Sequence, residues 1–490
     1  MSLGKIIFID PRGWQGAAEG QPAFPNLGIA YLAAAFIAKN FSVHLIDLNN
    51  QNLSNNQVLE IINQEQPDFI AFSVKTVTYQ SADSLARQIK QAYPNIKLIA
   101  GGPHITLNWS PVQAENIWDV ILLGEGEEVL PELCLKLLNH QSIADYSCLA
   151  GLLVDGSVET KHQPHFVKDL NRVLFPYYDF FSQNVLAFLN TSYPLLTSRG
   201  CVYRCIYCSV PLVSGHIFRK RSPENIVAEL RQIKQKYKIQ GFDIIDDNFN
   251  LDIERSKSFC RLLIKENLDF SWSCPNGIRA DSIDQELADL MAASGCRAVN
   301  IGIESGDPKV FNNIHKGETL EQIERGIYFL KKANIYVTGF FIIGLPHDSI
   351  LAQQKSLALI RRLKIDALFS MLVPYPSTKV WDWVTQNNFW LSGRNAGSAL
   401  HFSDDKNKLS VAFETPEFSA QDKKRAYEML NLKLGHFSLL VSKKVFWPLR
   451  YMKILGLIWQ HNKLNPKEYW FLCSAIWRKI KYKIKVKFLF

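Results

Sequence analysis

Cysteine is scarce in this chain, nine among 490 residues, and the nine show no paired spacing of a disulfide scaffold. That excludes a small stapled secreted fold and points to a reducing, cytoplasmic setting. The opening residues, MSLGKIIFID, read as a first strand and not as a signal peptide. The most apolar late stretch, 445–459, is broken by Pro448, Arg450 and Lys453 and is too short to span a bilayer. The body of the chain also lacks an excess of either charge. From residue 440 onward there are twelve Lys and Arg against one acid, Glu468, so the overall +9 leaves the rest at −2. A near-neutral body with a basic tail does not describe a nucleic-acid-binding enzyme. Hydrophobic residues at 47% and charged ones at 21% support a sizeable core. The length allows about three domains.

What the chain does hold is the segment LTSRGCVYRCIYCSVP, residues 196–211. It places Cys201, Cys205 and Cys208 on one short loop. Soft thiolates suit iron–sulfur clusters, which usually take four cysteines. Three thiolates can grip three irons of a cubane and leave the fourth iron open. Zinc is the rival, but zinc sites usually pair two Cys-x-x-Cys knuckles or add histidines. There is no second knuckle, and His216 is off that spacing. The plain alternative is three free cysteines in a turn, and their crowding within eight positions argues against it.

These three cysteines, with Tyr207 before the last, resemble the signature of the radical S-adenosylmethionine (SAM) enzymes. The resemblance implies a 4Fe–4S cluster whose open iron binds the amino and carboxylate groups of SAM. It also implies an electron donor of flavodoxin or ferredoxin type. The electron splits SAM to methionine and a 5′-deoxyadenosyl radical.

Over residues 1–150, apolar runs at 5–10, 43–48, 68–73, 97–100 and 120–123 read as buried strands. Helical patterns at 27–40, 55–63, 81–92 and 129–138 fall between them. The alternation predicts a doubly wound, flavodoxin-like parallel sheet. Ligands on such sheets sit beyond the carboxyl ends of the strands. Those ends carry Ser73 and Thr76, then Gly101, Gly102 and His104, then Gly124, Glu125 and Gly126. Glycines there would let backbone approach a large ligand. Gly124-x-Gly126 lacks the third glycine of a dinucleotide fingerprint. The stretches NLGIAYLAA (26–34), GGPHIT (101–106) and GEGE (124–127) resemble instead a cobalamin-binding domain. Other cobalamin proteins supply a lower axial histidine from a loop after the first strand. The loop DPRGW (10–14) has none, so the resemblance implies a cobalt without that ligand. His104 is a candidate replacement, although a histidine in a Gly-Pro-His turn is more often solvated or phosphate-contacting, and that reading is preferred. A cofactor-free flavodoxin-like domain is the plain alternative.

Residues 151–190 read as a hairpin, turning at Asp155-Gly156, and a linker rich in proline and aromatics. Residues 191–385 give six strand–helix units, with strands at 195–198, 242–245, 270–273, 298–303, 336–343 and 367–373. Six units predict a partial (β/α)6 TIM-type barrel with chemistry on the loops after the strands. By resemblance, Asp246 or Asp247 takes the SAM ammonium, where the family often has Gly-Gly-Glu. Arg279 meets the SAM carboxylate, with a structural ion pair as an equal alternative. Glu304 and Ser305 lie on the ribose side, and Gly344 and Pro346 on the adenine side. Tyr375 is a candidate for substrate or radical contact, with core packing as the commoner role of such a tyrosine. Ser377 stands where the family usually has glycine. Cys260, Cys274, Cys296 and Cys473 show no cluster spacing, so no auxiliary cluster is expected.

Residues 386–490 form a mixed or helical region expected to shape the substrate site, with a polar helix over 414–433. From 477 to 490 lysines alternate with apolar residues. Two readings stand side by side: docking on an anionic membrane surface at the inner face, or a plain basic tail. The resemblance as a whole implies a cobalamin-dependent enzyme methylating an unactivated carbon of a small-molecule or lipid-like substrate. Cyclisation, ring rearrangement or oxidation without methyl transfer is the alternative. A non-catalytic cobalamin carrier or sensor is a lesser one, against which the cysteine loop argues.

Overall fold

The computed structural model describes residues 2–13, 24–114, 116–150, 162–391 and 411–436. The hairpin expected within 151–161 and the tail from 437 lie outside the described residues.

The first sheet comprises β1 (Lys5–Asp10), β2 (Ser42–Asp47), β3 (Phe69–Ser73), β4 (Lys97–Gly101) and β5 (Val120–Ile121). Its order is β2-β1-β3-β4-β5, and every pairing is parallel. That is the flavodoxin-type order, with its switch point between β1 and β3. The strands are apolar on both faces because both are covered. Ile6, Phe8, Phe69 and Ile99 pack on one side with α1 (Leu27–Ala38) and α5 (Leu130–Leu138). Ile7, Ile9, Ile70 and Leu98 pack on the other with α2 (Asn55–Glu65), α3 (Tyr79–Ala92) and α4 (Pro103–Ala114). Ser54 and Gln57 start α2 with a capping box. Helix α4 was not expected, and it gives the GGPHIT motif a different setting. The motif is the entry to a helix, and His104 lies in its first turn at 3% exposure. The expectation of a solvated His104 is therefore corrected.

The second sheet runs β13-β12-β11-β10-β9-β6, again with parallel pairings throughout. Its strands are β6 (Tyr193–Leu195), β9 (Gly241–Ile244), β10 (Ser271–Ile278), β11 (Cys296–Glu304), β12 (Tyr336–Ile343) and β13 (Asp366–Met371). Each strand neighbours the next in sequence, as six successive strand–helix units require. The expected strand at 195–198 is split. After Leu195 the chain leaves the sheet, and β7 (Ser198–Arg199) pairs antiparallel with β8 (Arg219–Lys220). Helix α8 (Pro223–Tyr237) begins on a Ser222 cap with proline in its first turn. The polar helix near the C-terminus is α15 (Ala420–Lys433), starting six residues later than expected because Ser419 caps it. It packs on β12, β13 and the helix Ile350–Leu363.

Candidate active site

The cysteine loop is the segment pinched off by β7 and β8. Its backbone is tied inward at four points. Gly200 N–H donates to Asp247 Oδ2 at 3.1 Å, and Cys201 N–H to the Gly215 carbonyl at 3.2 Å. Ile206 N–H reaches the Ile314 carbonyl, and Cys208 N–H the Cys205 carbonyl, both at 3.1 Å. All three thiols are half-buried. Burial raises the pKa of each, and Cys208 reaches about 12, with Cys205, Cys201 and Asp247 adding to the shift. The thiols are thus close enough to disfavour one another's ionisation.

The two acids after β9 are not equivalent. Asp246 is buried and accepts from Thr197 N–H at 2.6 Å, from Ser198 Oγ at 2.6 Å and from the Thr197 hydroxyl. It fixes the strand exit that leads into the loop. Asp247 keeps access to solvent while its Oδ2 holds the Gly200 N–H of the loop, and desolvation, helped by the Asp246 charge, raises its pKa. Arg279 is committed elsewhere. It makes a two-bond pair with Asp281 at 3.0 and 2.7 Å and donates to the Lys316 and Gly317 carbonyls. Its guanidinium also lies 3.5 Å over the Tyr203 ring. The Asp281 pair is the ion pair of the alternative reading, and the Arg279 charge also reaches Cys201 and Cys205.

Glu304 ends β11 in the left-handed region, φ 66°, a conformation that costs a non-glycine residue energy and concentrates at functional sites. Its Oε1 accepts from Tyr207 Oη at 2.9 Å and from Lys316 Nζ at 3.1 Å. Lys316, which sequence reasoning missed, also pairs with Glu318 at 3.2 Å. Its ammonium lies near Cys205 as well. Ser305 is fully buried and turns the chain by accepting Asp307 N–H at 3.2 Å. Tyr375 is half-buried, and Thr378 donates to its carbonyl at 2.7 Å. Ser377 adopts φ 65°, a left-handed turn like one a glycine would make. Gly344 and Pro346 are buried. A Cβ on Gly344 would lie 3.2 Å from Lys423 Nζ. Lys423, on α15, is 2% exposed and donates to the Phe413 carbonyl at 2.8 Å. No sequence signal marked it, since a lysine in a polar helix gives no sign of burial.

In the first sheet, Ser73 accepts from Asn26 Nδ2 at 3.0 Å, and the same amide reaches Asp10 at 2.9 Å. This Asp10–Asn26–Ser73 set sits at the β1/β3 switch point. Sequence reasoning did not assign Asp10 or Asn26 a site role, although an acid closing an apolar strand was the available signal. Thr76 meets His104 Nδ1 at 3.3 Å, and His104 packs on Tyr79 at 4.5 Å between ring centres. Gly102 has φ 103°. At Gly101 an added Cβ would make only an ordinary contact, with the Leu122 carbonyl at 3.9 Å.

The GEGE motif faces the chain itself. Gly124 has φ 85°, and a Cβ there would fall 2.2 Å from the His165 carbonyl, which belongs to the linker. A Cβ on Gly126 would meet Leu122 and Leu32. Glu125 pairs with Arg219 and Arg199, and Glu127 with Arg199 at 2.7 Å. Burial pushes the Glu125 carboxyl up, but the Arg219 hydrogen bonds and both arginine charges hold it below its ordinary value. The close approach these glycines permit is made by the polypeptide, and the two glutamates bind the residues on either side of the cysteine loop.

The donor set fits an iron–sulfur cluster. Among the described residues, no group of three or more His, Cys, Asp or Glu could hold a metal ion. A cubane makes a different demand, one thiolate to each of three separate irons, and three thiols on one pinned loop suit it. Beside them Asn248, in the turn after β9, is buried at 2% exposure. The carboxyl ends of β1, β3 and β4 at the switch point, with Ser73 and Gly101, are where a flavodoxin-type sheet takes a large ligand.

Two family descriptions match the chain: the B12 binding domain over residues 16–134 and the radical SAM superfamily over residues 195–352. The chain is 28% identical over 373 residues to an uncharacterised methyltransferase of Pyrococcus horikoshii, covering 75% of this chain and 80% of that protein. It is 26% identical over 381 residues to the anaerobic magnesium-protoporphyrin IX monomethyl ester cyclase of Rubrivivax gelatinosus, covering 76% and 68%. Among solved structures it is similar to the radical SAM methyltransferase TsrM of Kitasatospora setae with tryptophan and a SAM analogue bound. There the TM-score is 0.73, with 17% identity and coverage of 88% and 90%. At that identity the likeness is one of fold. A cofactor-binding flavodoxin-type domain followed by a radical SAM domain is the class that the sheets, the cysteine loop and both matches define. The chain carries the pair of domains, B12-binding and radical SAM, found in the cobalamin-binding radical SAM enzymes.

Proposed function

We propose that the chain is a radical SAM enzyme that methylates an unactivated carbon of a small-molecule or lipid-like substrate. The observation that carries this reading is the cysteine loop, pinned by Asp247 beneath and flanked by arginines held from the B12-type domain. When bound, the cluster and SAM supply a 5′-deoxyadenosyl radical, and cobalamin supplies the methyl group. Cys201, Cys205 and Cys208 hold the cluster. Asp247, which keeps access to solvent, receives the SAM ammonium, while Asp246 shapes the loop. Glu304 offers its second oxygen to the ribose hydroxyls, oriented by Tyr207 and Lys316 through the first. Gly344 and Pro346 form the adenine side, backed by Lys423. Ser73, Thr76, Gly101, Gly102 and His104 border the corrinoid on the first sheet. Glu125 and Glu127 keep that sheet and the cysteine loop in one register, and Gly124 and Gly126 allow the packing. The division at residues 150, 190 and 385 follows: cobalamin domain, linker, radical SAM domain and substrate-shaping region.

A second reading, ring closure without methyl transfer, is favoured by the similarity to a cyclase. The test is anaerobic reconstitution with cobalamin and methyl-labelled SAM, followed by mass spectrometry of metabolites from a strain lacking the protein. Label in a carbon-bound methyl of the product supports methylation, and an unlabelled product with 5′-deoxyadenosine supports ring chemistry. A flavodoxin- or ferredoxin-type donor supplies the electron. Among the described residues no helix is long and apolar enough to cross a membrane. Contact of the basic tail with acidic lipid is checked by vesicle flotation of the full and tail-truncated chains. Equal flotation refutes it.

A further inference from the structure

The cysteine loop has two sides, and only one has a task in the roles assigned above. Exposure alternates along it: Val202 and Arg204 are exposed, whereas Cys201, Tyr203 and Cys205 are half-buried. The half-buried side faces the site, since Tyr203 lies under the Arg279 guanidinium at 3.5 Å and Tyr207 donates to Glu304 at 2.9 Å. Val202 and Arg204 stand on the other side. Ile217 joins them there. A Cβ on Gly200 would fall 2.3 Å from the Ile217 carbonyl, so the Ile217 backbone lies against the residue before Cys201. The Ile217 side chain is 74% exposed, the most of any large apolar residue among those described, and Val202 is 47% exposed. Ile217 also lines a cleft of about 700 Å³ together with Tyr146, Phe166 and Lys168.

The free charge around these apolar residues is positive. Arg204 and Lys168 are exposed, and neither is in an ion pair among the described residues. The nearby acids are matched: Asp145 of the cleft by Lys136 at 3.0 Å, and Asp169 by Arg172 at 3.5 Å. The later part of the loop is covered instead, because its helix α7 (Val210–Ser214) packs on α4 of the first domain.

We propose, resting on the iron–sulfur reading of this loop, that Val202, Arg204 and Ile217, with Lys168 beside them, form the docking face for a small acidic one-electron donor protein. Electron transfer weakens steeply with distance, and this is the outward face of the ligand-bearing segment itself. A few exposed apolar side chains bordered by unpaired cations suit a small, short-lived redox contact. Opposite charge on the partner speeds the encounter and selects it. One electron passes from the donor's flavin hydroquinone to the cluster. The flavin is oxidised by one electron, the cluster is reduced by one, and no bond forms or breaks.

The test uses the full chain, reconstituted anaerobically, with iron measured first. Stopped-flow absorbance follows cluster reduction by an acidic flavodoxin hydroquinone and, separately, by dithionite. Arg204→Glu combined with Lys168→Glu should lower the flavodoxin rate constant by about tenfold or more at low salt, and the gap should narrow as salt is raised. Ile217→Ser should lower that rate constant without changing its salt dependence. Dithionite reduction should match wild type in both variants. Should a variant lose iron, carbodiimide cross-linking of wild type to the same flavodoxin decides. A link at Lys168 supports the proposal, and links at other lysines alone overturn it. An iron-replete charge variant reduced by flavodoxin at the wild-type rate overturns it. Equal slowing with dithionite also overturns it, and places the effect in the cluster and not in docking. So does a wild type reduced by dithionite but not by flavodoxin. A wild type that takes up no iron removes the cluster reading and this proposal with it, an outcome distinct from these.

Discussion

Glu125 and Arg219 stand 94 residues apart and meet as a two-bond pair, each guanidinium nitrogen 2.7 Å from one carboxylate oxygen. Arg219 begins the strand that closes the cysteine loop, and Glu125 belongs to the first sheet's last loop. The pair thus joins the two sheets at the edge of the candidate site.

Glu125→Ala would leave Arg219 buried with its carboxylate partner gone and Arg199 with Glu127 alone. Breaking a buried pair from one side costs about 3–5 kcal/mol, so the urea midpoint should fall sharply. Replacing both Glu125 and Arg219 by methionine should recover most of that loss. Because the folded carboxyl titrates below its ordinary value of 4.5, its contribution is present above that pH and is lost as pH falls through the folded pKa. The steep acid limb of unfolding should therefore flatten in the double variant.

Tyr207→Phe removes one of the two bonds that orient Glu304. A hydrogen bond to a charged group contributes about 1.5–3 kcal/mol. SAM affinity, measured by calorimetry on the reconstituted chain, should fall by about tenfold or more, at ~1.4 kcal/mol per tenfold. Iron content should stay the same.

Asp246→Asn and Asp247→Asn should separate. The first disturbs three bonds that hold the strand exit and should lower stability by about 1–3 kcal/mol. The second should leave stability within about 0.5 kcal/mol and weaken SAM binding. The reverse pattern would exchange their roles.

Lys423 is pushed down to about 7 by burial, against an opposing pull from Asp348 and Glu414. Between pH 7 and 10.5 the unfolded lysine holds a proton that the folded one has lost. Stability should therefore rise with pH across that window, by at most ~1.4 kcal/mol per pH unit. Asp348, pushed up to about 6 by burial, acts in the opposite sense between its ordinary 3.8 and 6, outside the lysine window. In Lys423→Met the rise above pH 7 should vanish, as read from urea midpoints at pH 7, 8 and 9.

Much of this was legible in the sequence because apolar strands buried on both faces announce themselves. The strands at 5–10 and 336–343 fall where they were expected. The cysteine loop was legible because its chemistry depends on spacing. What stayed hidden depends on which side of a turn a residue faces. Asp246 and Asp247 are adjacent and alike in sequence, yet one is sealed against Thr197 and the other keeps access to solvent. The GEGE glycines look like ligand glycines, but the space at Gly124 is taken by the His165 backbone and that at Gly126 by Leu122 and Leu32. Helix α4 was missed because its glycine and proline read as a loop, although proline is well suited to a helix's first turn. Lys316 and Lys423 gave no signal, since burial of a lysine is decided by tertiary partners.

The central claim is that Cys201, Cys205 and Cys208 hold an iron–sulfur cluster that cleaves SAM beside a corrinoid. It is tested most directly by reconstituting the wild type and the Cys201→Ala, Cys205→Ala and Cys208→Ala triple variant anaerobically, then measuring iron, corrinoid and 5′-deoxyadenosine. The account predicts iron and 5′-deoxyadenosine in the wild type alone, with corrinoid bound by both. A wild type that binds neither iron nor corrinoid, or a triple variant that still releases 5′-deoxyadenosine, would contradict it.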